Sequence, residues 1–287
     1  MPSIVQPKFH NMDSHEATGK TRTKSSGTGG TQAIARATAL LREIANSAGG
    51  ERSLAELARS LDIERPTAYR ILRRLVEDGL AVQNPVTRGY GLGPLLFELG
   101  LLAKPPLQLQ ALAGEAATHI AHESGDTAFA LLTSGLDSVC LDRKEGSYPV
   151  KALLMGVGRR RPLGIGASSL SMLAAMAPEE ASQILDANAH RIGAMGESDV
   201  ANLKAVVEQG RRDGFVLRAP VDAPEILSLG VAVRNAYGHA ILGLSISALR
   251  FRIEQRFDRL LAVLRESRDM VETRLKAEGP ARDIKEA

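Results

Sequence analysis

Cysteine occurs once in these 287 residues, at Cys140. An intramolecular disulfide is therefore impossible, and so is a cysteine-rich zinc site. The thiol lies in Val139-Cys140-Leu141, an apolar stretch that predicts a buried, inert side chain. No apolar run approaches the ~18 residues of a membrane-spanning helix. The opening MPSIVQPKFHNMDSHEATGK lacks the short apolar core of a secretory signal. Together these absences predict a reducing compartment and a cytoplasmic protein.

Nucleotide-binding fingerprints are missing too. Gly19-Lys20-Thr21 looks like the end of a phosphate-binding loop, but Ser14 stands where that motif needs its first glycine. Gly156-Val157-Gly158 and Gly164-Ile165-Gly166 each begin a dinucleotide pattern, and Arg161 and Ser169 occupy the place of the third glycine. Ser168 and Ser169 fit neither a nucleophile elbow nor an S-x-x-K pattern. His119 and His122, with Glu115 and Glu123 nearby, have a spacing that could hold a metal, yet a solvated or packed helix face explains them as well. No cofactor, no metal and no catalytic residue is expected.

What is present is unevenly distributed. Residues 1–104 hold 14 Lys/Arg against 10 Asp/Glu, whereas residues 105–287 hold 22 against 23. The basic excess of the N-terminal third favours an anionic partner for that third alone. At roughly 100 to 200 residues per domain, the length suggests two domains. Residues 1–30, rich in Ser, Thr, Gly and Lys, read as a disordered arm.

Residues 53–91 carry the clearest pattern. A first helix over residues 31–48 precedes them, stopped by Gly49-Gly50. Ser53 and Glu56 form a capping-box signature, and Leu54, Leu57, Ala58 and Leu61 supply an apolar stripe. Asp62 to Arg65 read as a turn, Pro66 suits the first turn of the next helix, and Gly79 ends it. At about 100° per residue, Ala68, Ile71, Leu72, Leu75 and Val76 share an arc of about 140°, opposite Thr67, Arg70, Arg73 and Arg74. Strands at Leu80-Ala81-Val82 and Tyr90-Gly91-Leu92 flank a turn carrying Arg88. This is a winged helix-turn-helix, so double-stranded DNA is the expected partner. Thr67 and Arg70 are placed to read base edges, with Arg65, Arg73, Arg74 and Arg88 on the backbone.

The division predicted is an arm over 1–30, a winged helix-turn-helix over 31–92, a linker helix over 93–104 and a second domain over 105–287. The linker's Leu95, Leu96, Leu99 and Leu102 need a partner surface. In the second domain a helix over 107–123 leads to strands at 127–133, 137–143 and 150–155. A glycine-rich loop, 156–166, enters a helix at Ala167; helices near 178–187 and 199–212 follow, then strands at 215–217, 226–233 and 240–247 and a long closing helix. The fold class is α+β, with a central, mostly antiparallel sheet covered by helices. The loop-to-helix junction offers backbone N–H groups to an anion, and Ser245 and Ser247 share one face of a strand, lining a pocket or facing water.

ELARSLDIERPTAYRILRRLVEDGLAV and GYGLGPLLFELG, with the wing pattern Tyr90-Gly91-Leu92-Gly93, resemble the DNA-binding half of the IclR family of bacterial transcriptional regulators. VCLDRKEG, GRRRPLGIGASSLSMLAAM, DGFVL and ILGLSIS resemble its GAF-like effector domain. The resemblance implies a homodimer or homotetramer whose operator binding is modulated by a small metabolite, often an organic or aromatic acid. It also implies an effector site at Gly166, Ala167, Ser228, Ser245 and Ser247. Three places depart from the family pattern: Gly164 for a common His, Ser169-Leu170 for Gly-Lys, and Arg218 for an acidic residue. Two other readings are an enzyme and a sensor using the winged helix to bind protein. For an enzyme, no motif supplies a base among His119, His122, His190 and His239.

Overall fold

The computed structural model describes residues 29–47, 50–102, 107–196 and 199–277. Most of the arm expected over 1–30 lies outside these residues, but Gly29 and Gly30 already belong to the first helix, α1 (Gly29–Ala45). That helix stops short of the expected residue 48, and Gly50 beyond it has φ +74°. Ser53 caps α2 (Leu54–Ser60): its hydroxyl accepts from the Glu56 N–H at 3.3 Å, and the Glu56 carboxylate accepts from the Ser53 N–H at 2.9 Å. Those reciprocal bonds satisfy two of the donors a helix start leaves open. Asp62, at φ +49°, turns the chain into α3 (Arg65–Glu77). Leu72 and Leu75 cluster with Leu40, Ile44 and Leu57, and Ala68 is buried on the same helix, so one face of α3 is committed to the core.

β1 (Ala81–Gln83) and β2 (Tyr90–Leu92) pair antiparallel, and Arg52 extends the ladder with two backbone bonds to Tyr90, at 3.0 and 2.8 Å. The glycine closing Tyr90-Gly91-Leu92-Gly93 has a steric cause: a Cβ on Gly93 would sit 2.1 Å from the Gly79 carbonyl oxygen. A short helix, α4 (Pro94–Leu102), follows. Leu95 packs toward Gly79, while Phe97 and Leu99 are exposed.

The remainder is built on six strands: β3 (Thr127–Ser134), β4 (Asp137–Lys144), β5 (Arg160–Pro162), β6 (Val216–Arg218), β7 (Ile226–Arg234) and β8 (Ala240–Leu249). Their order is β5-β4-β3-β8-β7-β6, and every pairing is antiparallel. One expected strand is wrong. Residues 150–155 form no strand; the segment lies across the sheet, with Ala152 and Met155 buried, Val150 and Leu153 exposed, and the Ala152 N–H donated to the Thr127 hydroxyl at 3.2 Å. Its apolar residues are shared between a covering segment and solvent, with burial recurring every three residues rather than every two. The true edge strand, β5, falls inside the expected glycine-rich loop, where Arg160 pairs with Asp137 at 3.0 Å and Arg191 shares that carboxylate. An edge strand tolerates such side chains because one side of its ladder meets solvent.

One face of the sheet carries α5 (Leu107–Ser124) and the closing α10 (Phe257–Ala277), which follows the short α9 (Arg250–Gln255). The other carries α6 (Ala167–Ala174), with α7 (Pro178–Gly193) and α8 (Val200–Asp213) packed outside it. α7 runs six residues past its expected end at 187. All eight residues of α6 are buried. Its backbone lies directly on the strands: a Cβ on Gly230 would meet the Ala167 carbonyl at 2.7 Å, and one on Gly243 the Ser168 oxygen at 2.6 Å.

Candidate DNA interface and effector cleft

On α3 the helical period puts Arg65, Arg70, Arg73 and Arg74 outside, and all four are exposed. Thr67 is half-buried beside them, and Arg88 is exposed in the wing with φ +60°. The arginines are not equivalent. Arg73 bonds Glu77 at 2.9 Å and Arg74 bonds Asp78 at 2.7 Å, whereas Arg65 and Arg70 have no ion-pair partner among the described residues. Exposed pairs of this kind are worth only ~0.2–1 kcal/mol, so a phosphate can displace them.

The wing is held in shape by Glu51. Its carboxylate accepts from the Asn84 amide at 2.8 Å and the Thr87 hydroxyl at 2.7 Å, and those bonds, Asn84 first, hold the carboxyl below its ordinary pKa. The Asn84 side-chain oxygen in turn accepts the N–H groups of Val86 and Thr87. Sequence reasoning passed over Tyr69, which is 47% exposed and lies between Thr67 and Arg70 in sequence. On the helical wheel it falls just outside the apolar arc, so the signal was there.

Alternation splits the large sheet into two unlike faces. Ala128, Ala130, Leu229, Val231, Leu244 and Ile246 join the apolar cluster with α5 and α10. Phe129, Leu131, Ser228, Gly230, Gly243, Ser245 and Ser247 turn to α6. Here the register assembles something no local motif announces: Thr127 pairs with Ser247, Ser247 with Ser228, and Ser228 with Arg218, a polar row across four strands. Residues directly opposite in a ladder share a face, so Arg218 stands on the α6 side.

Ser228, Ser245 and Ser247 are each under 5% exposed, which removes the water-facing alternative. The Ser228 and Ser247 hydroxyls are 2.7 Å apart, and Ser168 on α6 donates to Ser245 at 2.6 Å. Gly166, with φ +83°, turns the chain into α6 and brings no side chain to cap it. The first-turn N–H groups after Gly166 and Ala167 are thus presented with the positive end of the helix dipole.

Two further residues lie on the α6 side of the sheet. Arg161 reaches from β5 to donate its Nη2 to the Leu154 carbonyl at 2.5 Å, and it feels the carboxylate of Asp222, which follows β6. Burial lowers its pKa, opposed by Asp222. Cys140 is 1% exposed, and burial pushes its thiol up to about 11, so no nucleophile is poised there. His119, half-buried, lies 3.8 Å from Glu266 of α10, and His122, exposed, lies 3.0 Å from Glu123. Among the described residues no group of three or more potential ligands converges on a metal position.

A winged helix-turn-helix followed by a sheet-centred domain with a buried polar row against a helix start defines a class of ligand-sensing DNA-binding proteins. The family described as "Bacterial transcriptional regulator IclR C-terminal" matches residues 106–273, and "IclR helix-turn-helix domain" matches residues 33–85. The chain belongs to the IclR family and is a transcriptional regulator with a DNA-binding helix-turn-helix and a ligand-binding C-terminal domain. It is 24% identical over 230 residues to the transcriptional repressor AllR of Escherichia coli K12, covering 79% of this chain and 84% of that one. It is 22% identical over 209 residues to the regulator KipR of Bacillus subtilis, covering 72% and 82%. Among solved structures, an IclR regulator from Alicyclobacillus acidocaldarius superposes with a TM-score of 0.69 at 22% identity, covering 84% of this chain and 98% of its own. An IclR homologue from Microbacterium hydrocarbonoxydans, complexed with 4-hydroxybenzoate, gives 0.68 at 22% identity, with 85% and 99% covered. No helix among the described residues is long and apolar enough to cross a membrane.

Proposed function

We propose that this cytoplasmic regulator binds operator DNA as a homodimer or homotetramer, and that a small organic or aromatic acid in the cleft modulates that binding. The units are residues 31–92 for DNA, 93–104 as the connecting helix and 105–287 for the effector. The observation carrying the DNA reading is the division of α3: Ala68, Leu72 and Leu75 are sealed in the core, while Arg65 and Arg70 stand exposed and unpaired among the described residues. Thr67 and Arg70 read bases, and Arg65, Arg73, Arg74 and Arg88 hold phosphates. The effector's carboxylate sits at the α6 N-terminus, on the first-turn N–H groups that follow Gly166 and Ala167, beside Ser245, which is bonded to Ser168, and the bonded pair Ser228 and Ser247. The 4-hydroxybenzoate bound by the Microbacterium homologue supports an acid as the class. Exposed Phe97 and Leu99 on α4 support an oligomer, because an exposed apolar helix face gains by covering. Effector binding then shifts the spacing of two recognition helices by its differential affinity for the two arrangements.

A gel-shift titration at two salt concentrations tests the DNA face. Arg70→Ala weakens specific binding more than non-specific binding; Arg73→Ala lowers both and flattens the salt slope by about one. If Arg70→Ala leaves specific binding at the wild-type level, the reading of α3 is wrong.

A further inference from the structure

We infer that Glu51, an exposed acid at the wing, is a positioning residue for operator binding: it fixes the wing turn in the form that presents Arg88 to a phosphate, so that removing this negative charge weakens DNA binding. The inference rests on the DNA reading above and adds a residue whose charge alone opposes the phosphate backbone.

Glu51 reaches the wing from outside it. The backbone bridge between Arg52 and Tyr90 lays the chain before α2 alongside β2. From there the Glu51 Oε1 accepts from the Asn84 amide at 2.8 Å and Oε2 from the Thr87 hydroxyl at 2.7 Å, so one carboxylate ties together two corners of the turn. A Cβ on Gly89 would lie 2.8 Å from Oε2, a measure of how closely the carboxylate lies on the wing backbone. The groups it holds go on to hold Arg88. The Asn84 carbonyl accepts the Arg88 N–H at 2.9 Å, and the Thr87 hydroxyl accepts the Gly89 N–H at 3.2 Å. On the other side the Gln83 amide donates to the Arg88 carbonyl at 3.1 Å.

Arg88 needs that support. At φ +60° it stands in the left-handed region, which arginine, unlike glycine or asparagine, adopts where its surroundings impose it. Its side chain is exposed and has no ion-pair partner among the described residues. Glu51 does not take it, since both carboxylate oxygens are given to neutral donors. Those bonds, Asn84 first, hold the carboxyl below its ordinary pKa, so the anion persists at any pH where DNA binding is measured. Charge and positioning therefore predict opposite signs. Charges within about 8 Å of each other still interact at physiological salt, so a carboxylate beside a bound phosphate costs affinity and its neutralisation tightens binding. Acting through the turn, the same neutralisation loosens binding, because a glutamine amide offers one acceptor oxygen where the wing uses two.

The test is a fluorescence-anisotropy titration of the full-length protein against the duplex that wild type selects from a random-sequence pool, over a series of salt concentrations. Arg88→Ala weakens binding and lowers the salt slope by about one, the share of a single phosphate contact. Glu51→Gln weakens binding by about fivefold or more and lowers the slope by a similar amount. Glu51→Asp, which keeps two acceptor oxygens, recovers part of the loss, and adding Glu51→Gln to Arg88→Ala costs nothing further. Glu64→Gln removes an exposed carboxylate at the head of α3 that makes no capping bond, and it leaves binding equal or tighter, the sign that charge alone gives. Binding by Glu51→Gln at or above the wild-type level overturns the inference. So does an undiminished loss in the Arg88→Ala background, which would mean that Glu51 supports the fold at large and not Arg88. If Arg88→Ala binds like wild type, or wild type selects no duplex, the DNA reading of the wing falls and the inference with it.

Discussion

The two faces of the six-stranded sheet are cut from the same strands and are built for opposite purposes. Toward α5 and α10, Leu242, Leu244, Ile246, Leu229, Val231 and Val233 are all fully buried in an apolar cluster. Toward α6, β7 and β8 hold Gly243, Ser245, Ser247, Ser228 and Gly230, small or hydroxylic residues, while β3 brings Phe129 and Leu131 to the same face. The apolar face gains from burying large side chains, about 25 cal/mol per Å². The other face gives up that area and gains close approach of a helix start and a set of hydroxyls. A site is legible as the place where a sheet declines to fill itself.

Neighbouring residues on β8 separate the two roles most sharply. Ile246→Ala should destabilise by about 2–5 kcal/mol, the usual range for emptying a buried aliphatic site. Denaturant melts measure this, and the effector-induced change in operator affinity of the fraction that folds should be unaltered. A loss below 1 kcal/mol would mean that the α5 side is not the main core. Gly243→Val comes next: its Cβ meets the backbone of Ser168, which has no flexible end to yield, so about 1–3 kcal/mol is lost together with the ligand response. Unchanged response in a stable Gly243→Val variant would show that the seating of α6 on the strands is irrelevant to the site.

Smaller in stability, but decisive for function, is the double change Ser245→Ala with Ser247→Ala. Each removes one hydroxyl–hydroxyl bond, worth about 0.5–1.5 kcal/mol net. Operator binding should persist and its response to acid should vanish. A double variant that still responds moves the effector away from this row.

These comparisons also explain what the chain made legible in advance. The winged helix was readable because its signals are local: the Ser53–Glu56 box, the 3.6-residue period of α3, and glycines at 79 and 93 all lie within a few residues of what they control. The serines of β8 were visible as a period-two pair. Thr127 was not, since it joins the row only through the pairing of β3 with β8, more than a hundred residues away. Arg161 drew notice only as the residue that spoiled a glycine pattern; its bond to the Leu154 carbonyl depends on how the covering segment lies on the sheet. The misplaced strand at 150–155 shares that origin, because a short apolar run reads alike whether it joins a ladder or only packs onto a sheet, as the Ala152 N–H does at Thr127.

Cys140 gives the smallest effect and tests whether the α6-side face is truly closed. It pairs with Leu131, sits at 1% exposure, and its thiol is pushed up to about 11 by burial first and by Asp142 second. The folded pKa lies above the ordinary value of 9.0, so the folded state holds its proton more tightly than the unfolded one. Its contribution to stability is whole below pH 9 and is lost as the pH rises from there toward 11. Wild type and Cys140→Ala should therefore show the same pH dependence of the urea midpoint between pH 6 and 8, and wild type should fall faster between 9 and 10. Iodoacetamide at pH 7.5 should label the native thiol far more slowly than the urea-unfolded chain, because both thiolate fraction and access are reduced. Equal labelling rates in the two states would mean that the face opens on its own, and the contrast with the α5 side would then be one of dynamics rather than of packing.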